Sequence, residues 1–144
     1  MRFLIFSLLF SSCVNAHPFQ HEGTGIALTG YDPVSYFEIS PNKDPKKGKS
    51  NFQHKWGGVT WHFATNENMQ KFIQNPKKYA PLYQGYCAYA AANNYVYQGD
   101  PLAWTVFKGK LYLNANKSVR SDWLENKVNY IKQANKNWPS LQPK

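Results

Sequence analysis

The chain has 144 residues, including 17 lysines and arginines and 8 aspartates and glutamates, and its net charge is +9 at pH 7. This length suits one domain with its own hydrophobic core, and two cysteines, Cys13 and Cys87, are too few for a fold built on a disulfide framework. The excess of positive charge favours contact with anionic surfaces or polymers, although it also promotes solubility.

The first sixteen residues have the pattern of a secretory signal peptide. Arg2 supplies the positive charge, residues 3–10 form a short apolar run, and residues 14–16 offer a cleavage site of the A-x-A type. The apolar run is too short to span a bilayer, and no later apolar segment of that length is free of charges. We therefore expect a periplasmic or secreted protein without a transmembrane span in its mature form. Lipid anchoring through Cys13 is the alternative, because residues 10–13 loosely resemble a bacterial lipobox.

Residues 17–25 lack periodicity and contain two glycines, so we expect a flexible tail before a domain that spans residues 26–141. Cleavage after residue 16 would make His17 the N-terminal residue. Its amine and imidazole could then chelate copper, and His21 could complete the site. A tail without a ligand is the competing interpretation, because ordering it costs about 1–2 kcal/mol per residue.

The domain begins with a turn and a hairpin. An Asp-Pro pair at residues 32–33 starts a turn that continues into a helical turn. Alternating apolar residues predict strands over residues 51–56 and 59–63, joined by two glycines that can adopt positive φ. Thr65 then caps a short helix that ends at Pro76.

The second half of the domain contains another hairpin and the longest helix. Strands are predicted over residues 104–107 and 110–114. A helix is predicted from Ser118 to an end near Pro139, with an apolar stripe that includes Val128. The order of elements predicts an α+β fold: a small antiparallel sheet made from the two hairpins, helices packed on one face, and a long C-terminal helix.

Residues 79–90 carry four tyrosines and Cys87 with almost no charge, so this segment must be largely buried or form a binding surface. We expect a ligand pocket there, with this lining: Tyr83, Tyr86, Cys87 and Tyr89, with Asp32 and Tyr36 as neighbours. Three roles stay open for Cys87: a buried structural thiol, a ligand for copper or zinc, and a catalytic nucleophile.

Several motifs resemble the YHS domain family, in particular its longer exported bacterial form. They follow one another in a single order over residues 30–37, 56–64, 75–90, 99–104, 109–118 and 137–139. Short modules of this family accompany heavy-metal transporters and carry cysteines, so the resemblance implies an association with metals. This chain has Ser35 where the first of those cysteines would stand, and residues 64–68, directly after Phe63, contain no cysteine.

The sequence contains no paired catalytic carboxylates, Ser-His-Asp order, phosphate loop or CxxC motif, so we do not expect an enzyme. A thiol enzyme would require an accessible Cys87 with a histidine within hydrogen-bond distance.

We predict an exported, non-enzymatic YHS-domain protein that binds a metal ion or a small ligand in the bacterial envelope, and no nucleic acid. The alternative is an interaction module for cell-wall or extracellular polymer, in which Trp56, Trp61, Trp104 and the tyrosines stack on sugars and the lysines contact acidic groups. An exposed row of rings would favour the alternative, and rings closed around Cys87 would favour the ligand pocket.

Overall fold

A computed structural model describes residue 19 and residues 23–143 of the chain. Within this part, four strands form two antiparallel hairpins: Lys49–Trp56 (β1), Val59–Phe63 (β2), Asp100–Phe107 (β3) and Lys110–Asn114 (β4). The α-helices are Asn66–Gln74 (α1), Pro76–Tyr79 (α2), Ala88–Ala92 (α3), Lys117–Glu125 (α4) and Lys127–Leu141 (α5). Short 3₁₀ turns are formed by Leu28–Gly30, Ser35–Phe37 and Leu82–Gly85. Among the described residues, no helix combines the length and apolar character needed to cross a membrane.

The two hairpins have the same geometry. In each, a strand of eight residues leads through a two-residue turn into a strand of five residues. Both residues of each turn, Gly57-Gly58 and Lys108-Gly109, have positive φ, which matches the twist of a two-residue hairpin. The predicted α+β class is confirmed, and each hairpin forms a two-stranded sheet of its own.

The elements fall into two units that repeat one order. The first unit, residues 28–79, contains two 3₁₀ turns, β1, β2, α1 and α2. The second unit, residues 82–141, contains a 3₁₀ turn, α3, β3, β4, α4 and α5. In both units an opening 3₁₀ turn is followed by a short helical segment, which is Ser35–Phe37 in the first unit and α3 in the second. A hairpin and two helices then complete each unit.

The two units also share local geometry. Their opening turns hold φ values of 52°, 53° and 84° at residues 28–30 and of 55°, 53° and 80° at residues 83–85. The helices α1 and α4 both have nine residues and begin after a polar N-cap, Thr65 and Asn116 respectively. Each cap side chain accepts a hydrogen bond from the backbone N–H three residues later, which satisfies an otherwise free donor of the first helical turn. This agreement defines equivalent positions, so that residues of the second hairpin and α4 lie 51 positions after their counterparts.

The units share apolar packing. The buried cluster of the first unit, built on Trp61 and Phe72, also contains Trp104 and Leu113 of the second hairpin. Phe19 packs on the same cluster, with its ring 5.1 Å from that of Trp61, and its N–H donates to the carbonyl of residue 84. Phe19 therefore attaches the segment predicted as a tail to both units.

The prediction of one continuous helix from Ser118 is wrong. The helix breaks at Asn126, where φ is −145° and ψ is 42°, and the chain resumes as α5. The break changes the direction of the apolar stripe, so Val128 is 62% exposed. Pro139 lies inside α5 because, so close to the C-terminal end, its missing N–H removes a bond from the last turn alone.

Candidate functional site

The Asp32 carboxylate is fully buried and accepts four hydrogen bonds. Its Oδ1 accepts from the N–H groups of Val34 at 2.8 Å and Ser35 at 3.3 Å. Its Oδ2 accepts from the N–H of Ala64 at 2.9 Å and from the amide of Asn68 at 2.7 Å. One side chain therefore joins the second 3₁₀ turn, the end of β2 and the first turn of α1, and both of its oxygens are engaged with the protein.

Tyr36, another predicted neighbour of the pocket, lies between the units. Its hydroxyl donates to the carbonyl of Pro101 at 2.9 Å, and its ring meets the edge of Trp104 at 5.4 Å between centroids. Burial raises the pKa of Tyr36 well above its ordinary value, and the negative charge of nearby acidic groups adds to that rise. The phenol is therefore neutral, and it fastens the first unit to β3.

Cys87 occupies the position in the second unit that Asp32 occupies in the first. Each follows a Gly-Tyr pair after the opening 3₁₀ turn, and each sits at the start of the short helix. The Cys87 thiol donates to Asn114 Oδ1 at 3.6 Å and accepts from the N–H of Ala90 at 3.4 Å. The N–H of Ala115, the counterpart of the N–H at residue 64 that bonds Asp32, lowers the pKa of the thiol against the effect of burial.

The environment of Cys87 keeps its thiol neutral. The residue is 2% exposed, and burial raises the pKa of the thiol, while backbone N–H groups oppose that rise. Asn114 is fully buried and accepts from both the thiol and the N–H of Tyr89, whereas its Nδ2 has no partner among the described residues. No histidine is among the described partners of the sulfur, so this geometry does not provide the base that a thiol nucleophile needs.

The three tyrosines predicted to line the Cys87 pocket pack against α5. The Tyr83 hydroxyl donates to Asn135 at 2.8 Å. The ring of Tyr86 lies 5.9 Å from that of Trp138, and the ring of Tyr89 lies 5.0 Å from that of Tyr130. The thiol, by contrast, bonds an asparagine of β4. The three rings thus lie between α5 and the rest of the second unit. Asp32 and Tyr36, by contrast, belong to the first unit.

The tryptophans predicted to stack on sugars are largely inside the protein. Trp61 is 0% exposed and Trp104 is 5% exposed, while Trp56 is half-buried against the same cluster. The exposed rings lie elsewhere, at Tyr95 and Tyr97, which are 50% and 57% exposed in the loop before β3. The described rings therefore neither close around the thiol nor form a row of exposed tryptophans.

The metal that the family resemblance implies does not fit the described residues. Within residue 19 and residues 23–143, no group of three or more His, Cys, Asp and Glu side chains comes together. Around Cys87 the donors are one neutral thiol and one amide oxygen, a poor set for copper or zinc. Ser35, in the place of a family cysteine, donates to the carbonyl of Asp32 instead. His17 and His21 lie outside the described residues, so their role stays a prediction.

A site that the sequence analysis missed is centred on Arg120. Its Nε donates to Thr105 Oγ1 and its Nη1 to Asn42 Oδ1, both at 2.9 Å. These partners are neutral, and the ion pairs within 4.0 Å among the described residues join Lys71 to carboxylates elsewhere. Burial lowers the pKa of the Arg120 guanidinium, because partial removal from water disfavours its charge. Arg120 is therefore a half-buried cation that forms no ion pair with the carboxylates of the described residues.

The surroundings of Arg120 are basic. A depression of about 210 Å³ beside it is lined by Lys43, Lys117 and Ser121 as well as by one carboxylate, Asp44. The floor is fixed, because the indole N–H of Trp104 donates to the carbonyl of residue 43 at 2.9 Å. Three cations thus face one anion in a concave site between the two units, a common location for ligand pockets.

Two signals in the sequence could have drawn attention to Arg120. It is one of two arginines among 17 basic residues, and the other, Arg2, lies in the predicted signal peptide. Its counterpart in the first unit is Met69, an apolar residue packed on the core. An arginine at the position of a core methionine departs from the local pattern, and such departures often mark functional sites.

Residues 41–83 match the family model described as YHS domain. The match contains β1, β2, α1 and α2, so the predicted resemblance is confirmed over most of the first unit. The chain matches no curated protein and no solved structure. The finer assignment to a longer exported bacterial form stays a prediction.

Replacing Asp32 should strongly destabilise the fold. Asp32→Ala leaves buried donors on three elements without an acceptor, so we expect the free energy of unfolding to fall by about 3–5 kcal/mol. Urea denaturation followed by circular dichroism would measure the change. Asp44→Ala is the matched control, because Asp44 is exposed and should change stability by less than about 0.5 kcal/mol. Similar losses in both variants would contradict the anchoring role of Asp32.

Cys87 should make stability fall at alkaline pH. Because its pKa is raised on folding, the folded chain keeps the thiol proton at pH values where the unfolded chain has lost it. This contribution is complete below the ordinary thiol pKa of 9.0 and decreases as the pH rises above that value. Urea midpoints at pH 7.5 and 10 should therefore differ less for Cys87→Ser than for the unmodified chain. An equal loss of stability between pH 7.5 and 10 in both proteins would contradict a contribution of the Cys87 thiol to that loss.

Proposed function

We propose, from the membership of residues 41–83 in the YHS domain family, that this chain is an exported, non-enzymatic binding protein whose ligand is a small anion held at Arg120. The observation that carries the proposal is the half-buried guanidinium, fixed by two neutral side chains and without a carboxylate partner. The signal-peptide pattern of residues 1–16 supports a periplasmic or secreted location.

The energetics of Arg120 favour an anionic ligand. A cation withdrawn from water loses hydration, and hydrogen bonds to neutral groups restore part of that loss. An arginine has five N–H donors, and the bonds to Thr105 and Asn42 use two of them. The remaining donors can bind an oxyanion in the bidentate geometry that guanidinium groups favour.

The neighbouring charges support the same ligand. Lys43 and Lys117 add positive potential at the mouth of the depression, where a concave wall concentrates the field. Asp44 opposes them, since its carboxylate lines the same depression. The net charge of the residues that line the depression is therefore positive. Asp44 allows a test of this electrostatic argument, because removing its negative charge should strengthen anion binding.

Anion affinity should depend on Arg120 specifically. Calorimetric titration with inorganic phosphate at fixed ionic strength should show binding that weakens at least about tenfold in Arg120→Gln, since a charge-assisted hydrogen bond is lost. Asp44→Asn should bind phosphate several-fold more tightly, by about 1 kcal/mol or less.

The matched control is Lys55→Gln, which removes an equal charge from an exposed position on β1 outside the depression. Its phosphate affinity should equal that of the unmodified chain. If Lys55→Gln and Arg120→Gln weaken phosphate binding equally, the binding is due to general charge attraction and not to a site at Arg120. Absence of phosphate and acetate binding at millimolar concentration would overturn the proposed function.

A second candidate function is the interaction module for envelope polymer, and among the aromatic residues predicted to bind it the exposed tyrosines support it. Tyr95, Val96 and Tyr97 are all exposed in one loop, and paired tyrosines can stack on sugar rings. Replacing both tyrosines with serine should abolish retention on insoluble cell wall while leaving the phosphate affinity unchanged. If Arg120→Gln loses retention on the cell wall and the tyrosine variant keeps it, the polymer binds at the basic depression and not at the tyrosines.

The metal hypothesis rests on the N-terminal histidines. We expect copper bound by the exported protein to be lost in the double variant His17→Ala, His21→Ala and to be retained in Cys87→Ser, measured by metal analysis after dialysis. Point substitutions are preferable to deleting residues 17–25, because Phe19 packs on Trp61 and its loss would disturb the core. Copper lost only in Cys87→Ser would contradict this assignment, and no copper in any version would end the metal hypothesis.

A further inference from the structure

The Arg120 site has a second compartment. A separate depression of about 230 Å³ adjoins the first, since Trp104 and Arg120 line both. The guanidinium connects them through its hydrogen bonds, because Asn42 lines the first depression and Thr105 lines the second. The two compartments therefore meet at one charged group.

The compartments differ in chemistry. The first contains the lysines and the carboxylate described above. The second is lined mainly by apolar and aromatic side chains: Tyr36, Phe37, Ile39, Pro41 and Val106. Each compartment is smaller than the roughly 300–1,000 Å³ of a typical ligand pocket, so a ligand of ordinary size would have to occupy both.

We propose that this two-compartment site binds a small amphipathic organic anion, with its carboxylate or phosphate group at Arg120 and the basic depression and its apolar body in the depression beside Val106. The inference rests on the proposed anion-binding function and adds the class of the ligand. An inorganic anion would use one compartment and leave the apolar one in water. An aromatic or branched aliphatic body would remove that apolar surface from water and so add affinity.

The size of the apolar compartment separates a small soluble ligand from a lipid. A volume of about 230 Å³ accommodates a single ring or a short branched chain. An acyl chain would have to continue along the protein surface. The occupant is therefore a free organic anion, and a lipid headgroup is an outcome that the test must be able to show.

Calorimetric titrations of the full-length chain with inorganic phosphate, phenyl phosphate and dodecyl phosphate below its micelle concentration would test this inference. Phenyl phosphate should bind at least about tenfold more tightly than inorganic phosphate, because its ring is buried. Dodecyl phosphate should gain no more than about threefold over phenyl phosphate. Arg120→Gln should weaken binding of all three probes.

Two matched variants assign the gain to the apolar compartment. Val106→Thr keeps a β-branched residue on β3 but replaces one methyl group with a hydroxyl. It should lower the preference for phenyl phosphate over inorganic phosphate to about threefold or less. Val96→Thr, an exposed position that lines neither depression, should keep the full preference.

The outcomes separate the two proposals. Equal affinities for phosphate and phenyl phosphate overturn the two-compartment inference and leave the anion site standing, as does an unchanged preference in Val106→Thr. A large gain with dodecyl phosphate overturns the small-ligand assignment in favour of a lipid. No binding of any probe overturns the anion site itself, and with it this inference.

Discussion

The buried carboxylate of Asp32 is the interaction on which the first unit depends. Burying an ionised carboxyl group is costly, and the cost is offset only when its oxygens receive well-aligned donors. The donors come from the adjacent turn, the end of β2 and α1, so these three elements must be in place together. The requirement makes the first unit cooperative: a strand or helix that formed alone would leave the carboxylate without part of its hydrogen bonds.

The second unit solves the same geometric problem with different chemistry. Cys87 stands where the first unit has its aspartate, and its neutral thiol needs far less compensation for burial. Thiol hydrogen bonds are weak, and Asn114 supplements them by accepting the N–H of residue 89. At this position the second unit therefore has a neutral group where the first has a charge, and it gains stability from rings packed against α5, notably Tyr83 of the opening turn against Trp138. This comparison favours a structural role for Cys87 over a chemical one.

The junction between the units is held by side-chain hydrogen bonds as well as by apolar packing. A hydroxyl of Tyr36 and an indole N–H of Trp104 fix the loop of the first unit against β3. Arg120 then reaches into this junction from α4 and bonds one side chain from each unit. A purely structural contact here could be made by an apolar residue, as its counterpart Met69 does in the first unit. Arginine instead leaves guanidinium N–H groups at the junction beyond those bonded to Thr105 and Asn42, and the proposed anion site is based on these groups.

Short-range patterns in the sequence determined the hairpins, the Thr65 cap and the α+β class. Two glycines between alternating strands, or a threonine before a helical stripe, act through neighbours within a few residues, so the sequence alone predicts their effect. The YHS motifs likewise lie in continuous stretches, and their match over residues 41–83 followed from the sequence without reference to the fold.

Only the tertiary structure decided the break at Asn126, the partners of Cys87 and the site at Arg120. After the break α5 packs against α3, and the thiol meets an asparagine that lies 27 residues away. The guanidinium meets Asn42 across 78 residues. Contacts over such separations depend on how two units dock, and hydrophobic periodicity within one segment carries no information about that docking. For that reason the aromatic segment drew attention in the sequence, while the charged junction emerged only in the fold.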